Sequence, residues 1–110
     1  MVDNSLILSV IEEHRAKELA MENLFIEMWD RCDIDSDGYM RYNNEVYFHQ
    51  DYKNKYLWCD YKLVYLIFIE QFNIKDKDWR TFIKNMLYKH TNCKGLRPSL
   101  LLSPHHSQVV

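Results

Sequence analysis

Apolar residues recur at helical spacing over the first third of the chain. Ile7, Val10 and Ile11, then Met21, Leu24, Phe25, Met28 and Trp29 fall three or four residues apart, and no Gly or Pro interrupts Ser5 to about Arg31; this pattern predicts a helix. Asp3 or Ser5 can cap its start. Its middle, Glu12 to Glu18, carries no apolar stripe. A single helix would be about 40 Å long at ~1.5 Å per residue, longer than a domain of this size is wide. Either two helices meet there, or one helix overhangs the domain and invites a partner or a second copy.

The texture then changes to period two. Tyr39–Tyr42, Glu45–Gln50 and Tyr56–Asp60 alternate aromatic and branched residues with polar ones, separated by Asn43-Asn44 and by Asp51–Lys55. These read as strands of a small antiparallel meander. Tyr61 to Phe72 is apolar almost all round, which predicts a helix buried on most faces. Asp76 or Asp78 starts a last helix, on which Trp79, Phe82, Ile83, Met86, Leu87 and His90 share one face and Lys77, Arg80 and Lys84 the other.

The expected architecture is α+β: a long N-terminal helix, a small antiparallel β-meander and two packed C-terminal helices. Residues 1–92 form that single domain, and residues 93–110, with their Ser, Pro and His, form a flexible C-terminal tail.

Composition narrows the class. With 110 residues, 47% of them hydrophobic, the chain can bury a core without disulfides. Cys32, Cys59 and Cys93 are odd in number and widely spaced, the pattern of reduced thiols. The longest nearly continuous apolar run, Leu63 to Ile69, is about a third of the ~20 residues that span a membrane. With the polar start around Asp3, this implies a cytoplasmic protein with no membrane partner. Phe, Tyr, Met, Ile, Asn and Lys together supply 43 residues, and Gly, Ala, Arg and Pro only 11. That bias fits an AT-rich genome such as a phage or mobile element, and places the protein in the host cytoplasm if it is viral.

Charge divides the chain. Residues 1–51 carry a net −8 and residues 52–110 a net +6. The two halves either fold against each other or leave a basic surface for nucleic acid or an acidic protein.

Asp33-x-Asp35-x-Asp37-Gly38-Tyr39-Met40 follows the first helix. It resembles the EF-hand calcium loop, in which side-chain oxygens at positions 1, 3 and 5, a Gly at 6 and a carbonyl at 7 surround the ion. The resemblance, over residues 33–44, implies a Ca²⁺ site at Asp33, Asp35, Asp37 and Tyr39. It departs at position 12, where Asn44 stands in place of the bidentate Glu, and strands follow where an exit helix belongs. The bland reading is a polar turn with Gly38 at positive φ and Asp side chains bonding local amides.

Residues 62–90 resemble a helix-turn-helix, with anchors at Trp79, Ile83 and Met86. The resemblance implies that Lys77, Arg80, Thr81, Lys84 and Asn85 meet DNA phosphates and base edges. Acidic Asp76 and Asp78 stand at the groove-facing end.

His90-x-x-Cys93 is half of a zinc motif, and there is no Cys-x-x-Cys; His90 reads as a packed, hydrogen-bonded residue. No spacing matches a phosphate loop, a nucleophile elbow or a catalytic constellation, so the expectation is no enzyme and no cofactor. The function that remains is binding of a protein partner by a small regulator or inhibitor. Tyr52, Lys53, Lys55 and Tyr56 on the second hairpin and Arg80 and Lys84 on the last helix are the candidate contacts, and the long helix is a candidate homodimer seam. A nucleic-acid-binding regulator and a calcium-binding module are the alternatives.

Overall fold

A computed structural model describes residues 4–91 and 95–100. The first helix, α1 (Asn4–Arg31), runs unbroken for 28 residues, so of the two arrangements open to its polar middle the overhang is realised. Nothing in Glu12–Glu18 breaks a helix: Glu, Ala, Lys and Arg are good helix formers. The side-chain contact His14–Glu18 and the ion pair Arg31–Glu27, each at 2.9 Å, join neighbouring turns. Residues 5–20 are exposed throughout, and burial begins at Met21. The molecule is accordingly elongated, 59 Å against 31 and 23 Å across.

A five-stranded sheet follows in chain order: β1 (Asp33–Ile34), β2 (Tyr39–Tyr42), β3 (Glu45–Asp51), β4 (Tyr56–Cys59) and β5 (Arg97–Ser99). The first four are antiparallel neighbours, as a meander requires, and β5 adds to β4 in parallel, pairing Arg97 with Tyr56 and Ser99 with Trp58. Asn43 (φ 51) and Asn44 (φ 66) both take left-handed backbone at the β2–β3 turn. That is the primed geometry matching the twist of a hairpin, and Asn tolerates it.

Two expectations are corrected. Arg97–Ser99, placed in the tail by its composition, is a strand, so the sheet reaches past residue 92; residues 101–110 lie outside the described residues. The N–H of Arg97 donates to the Lys55 carbonyl at 3.0 Å, which turns the next residue, Pro98, outward on the edge, where its missing N–H forfeits no ladder bond. The helix expected over Tyr61–Phe72 is α2 (Tyr61–Ile69), shorter than its apolar run. Nor is it buried on most faces: Val64 and Phe68 are buried, while Leu66 (59%) and Ile69 (43%) are exposed.

The core sits where the C-terminal half of α1, the sheet, α2 and α3 (Asp76–His90) meet. Phe25 and Trp29 of α1 both set ring edges against Phe48 of β3, with centroids 6.1 and 4.9 Å apart. Fully buried Trp79 packs on Phe68 at 4.8 Å, and its indole N–H donates to the Tyr61 carbonyl at 2.9 Å. Asp60 caps α2 by accepting from the Leu63 amide at 3.2 Å. Asp76 and Asp78 lie in the first turn of α3 and Lys89 and His90 in its last, an order that complements the helix dipole. α1 and α3 are further joined by Glu22, whose Oε1 accepts from Lys89 Nζ at 2.9 Å and from His90 Nε2 at 2.8 Å. His90 is therefore a half-buried, hydrogen-bonded residue. Among the described residues, no helix is long and apolar enough to cross a membrane.

Candidate functional site

The acidic loop is organised around Asp35. Its Oδ1 accepts from the amides of Asp37 at 2.9 Å and Tyr39 at 3.0 Å, and its Oδ2 is held by the Arg41 guanidinium. Arg41 most of all, with the two amides, holds the Asp35 carboxyl below the usual carboxylate range. The Tyr39 carbonyl, which the calcium-loop resemblance assigns to the ion, accepts the Asp35 N–H at 3.0 Å. His49 Nε2 donates to the Asp37 carbonyl at 3.0 Å, and its ring stacks on Tyr39 at 4.1 Å. Gly38 (φ 90) closes the turn. Asp33 is exposed in β1, and Asp37 is exposed in the turn. Protein donors thus take the acceptors of Asp35 and Tyr39, and no group of three or more His, Cys, Asp or Glu among the described residues is placed to hold a metal.

The candidate contact residues fall into two groups. Tyr52, Lys53 and Lys55 are exposed on the β3–β4 turn. Half-exposed Tyr56 lies under the Arg97 guanidinium, 5.4 Å from its ring centre. Tyr52 donates its hydroxyl to Gln50 Oε1 at 2.7 Å. On α3, Arg80 lies 4.5 Å over the Tyr61 ring and donates to the Tyr61 hydroxyl at 2.9 Å; Lys84 is exposed and shares a depression with Arg80, Thr81 and Leu100. The strand missed in the sequence joins the two groups. Arg97 stands beside Tyr56 and Leu100 beside Lys84, about 10 Å apart at ~3.3 Å per residue. No sequence signal marked Arg97 for this place, because the parallel pairing that brings it there is long-range.

The α3 face implied by the helix-turn-helix resemblance is shared with α1. Thr81 and Asn85 line a groove of about 660 Å³ together with His14, Lys17, Glu18 and Met21. Ile74 and Phe82 form its apolar wall, and Lys17 Nζ ties its rim by donating to the Asn73 carbonyl at 2.6 Å.

The most exposed apolar surface belongs to the overhang of α1. Leu6 (65%), Ile7 (44%), Leu8 (57%), Val10 (59%) and Ile11 (40%) lie within two turns of one another, with Leu19 (59%) further along. Nucleophilic chemistry has little footing among the described thiols. Burial, with the nearby Asp33 charge, pushes the Cys32 thiol up to about 12, and burial also raises that of Cys59. Cys93 lies outside the described residues.

No family model, curated protein or solved structure matches the chain.

Proposed function

We propose that this chain acts without catalysis, as a protein-binding module of the kind used by small regulators and inhibitors. One observation carries the reading: the first ten or so residues of α1 project beyond the groove it shares with α3 and carry five large exposed apolar side chains within six positions. An isolated helix of this length is marginal in water, and a contiguous apolar patch on it is the mark of a surface that a protein covers. The basic, tyrosine-bearing strip from Lys53 and Tyr56 through Arg97 to Lys84 is a second contact surface, with aromatic and Arg residues of the type that anchor interfaces.

The test is affinity capture from lysate of the source cells, comparing wild type with Ile7→Glu/Ile11→Glu. Both sites are exposed, so folding, followed by circular dichroism, stays unchanged and capture is lost. Equal capture by the variant overturns the role of the helix.

A further inference from the structure

We infer that the projecting half of α1 is covered by a second copy of this chain, in an antiparallel two-fold dimer in which each overhang seats in the other copy's α1–α3 groove. The inference rests on the reading of that helix as a protein-binding surface, and adds what binds it.

Leu6, Ile7, Val10 and Ile11 stand eighteen residues before Leu24, Phe25, Met28 and Trp29, about five turns at ~3.6 residues per turn. The overhang therefore turns its apolar face to the side on which the rest of the helix meets the domain. His14, Lys17, Glu18 and Met21 lie on that same side and form the floor of the groove, with Ile74 and Phe82 as its wall. Within one molecule the patch cannot reach the groove, because both belong to the same straight helix. A second molecule running antiparallel brings residues 6–11 of each copy over residues 14–21 of the other, with the two-fold axis beside Glu13. Such an interface is self-complementary and closed.

The side chains on either flank agree with this register. A two-fold perpendicular to the paired helices keeps each flank of one helix beside the same flank of its mate. On the flank toward the wall, Leu6 and Val10 meet Ile74 and Phe82 of the other copy. On the opposite flank, Leu8 meets the exposed Leu19, and Glu12 stands beside Arg15, so that two opposite-charge pairs form at once. A parallel pairing would set each overhang beside the other overhang and off the groove, and would place Leu8 and Leu19 at different heights along the pair. The dimer would display two copies of the Lys53–Tyr56–Arg97 strip.

Sedimentation equilibrium of the full chain tests the inference. Wild type is expected to be dimeric at about 100 µM or below, and Ile7→Glu monomeric with unchanged circular dichroism. Glu12→Arg alone and Arg15→Glu alone are each expected to weaken the dimer about tenfold, and the double swap to restore it to within about threefold. A dimer that survives Ile7→Glu, or one that the double swap fails to restore, overturns the arrangement. A monomeric wild type overturns the second-copy inference alone if Ile7→Glu/Ile11→Glu still abolishes capture of another protein, and overturns the protein-binding reading of the helix as well if capture is unaffected.

Discussion

Gly38 and Gln50 meet backbone to backbone: the Gln50 amide donates to the Gly38 carbonyl at 2.8 Å, and a Cβ on Gly38 would fall inside the contact radius of the Gln50 carbonyl oxygen. With φ at +90°, residue 38 is closed to side chains on both conformational and steric grounds. Gly38→Ala is expected to destabilise the domain by about 2 kcal/mol or more. In urea unfolding the midpoint drops at unchanged slope; a midpoint within error of wild type would contradict this account of the turn.

The Asp35–Arg41 pair gives the fold an acid-sensitive element. Arg41 first, then the Tyr39 and Asp37 amides, depress the folded-state pKa of Asp35. Its contribution is therefore complete above the unfolded value near ~4 and is lost as pH falls through the folded value. Glu22, depressed by Lys89 and His90, acts in the same direction. Asp35→Asn should flatten the dependence of melting temperature on pH below about pH 4 while lowering stability at neutral pH. An acid limb parallel to that of wild type contradicts it.

At the β2–β3 turn, Asn44→Gly should keep or raise the melting temperature, because Gly adopts φ 66° without steric cost. Asn44→Val should lose about 1–2 kcal/mol, since a β-branched residue resists left-handed backbone. Equal stability of the two variants would argue against the primed turn.

Tyr52→Ala/Tyr56→Ala should leave folding intact, since Tyr52 is exposed and Tyr56 half-exposed, and should weaken capture of a protein partner that uses the basic strip. Adding Arg97→Ala should weaken it further. Unchanged capture by the triple variant assigns that contact elsewhere.

Much of the fold was legible because periodicity is local. The helical spacing of Ile7, Val10 and Ile11 and of Met21 to Trp29 predicted helix on both sides of Glu12–Glu18 while leaving one helix or two open, the alternation in Glu45–Gln50 predicted β3, and the Trp79–His90 pattern predicted α3, which runs from Asp76 to His90. What was not legible depends on distance in sequence. β5 is three residues containing a proline, and it is a strand only because Lys55 and Tyr56, some forty residues earlier, offer a partner. The exposed flank of α2 could not be read from its composition, since an apolar run shows what can be buried and not what arrives to bury it. The same holds for the candidate surface. Tyr52, Lys53, Lys55 and Tyr56 were visible as a polar hairpin tip, but their adjacency to Arg97, and the sharing of the Thr81 and Asn85 face with α1, follow from tertiary packing alone.

Hydrogen exchange along α1 at two protein concentrations tests the central claim most directly. If the overhang is a binding surface covered by a second copy, amides of residues 6–18 exchange rapidly at low concentration and become protected at high concentration, while those of residues 21–30, held by the core, stay protected at both. Rapid exchange of residues 6–18 that does not change with concentration would contradict it.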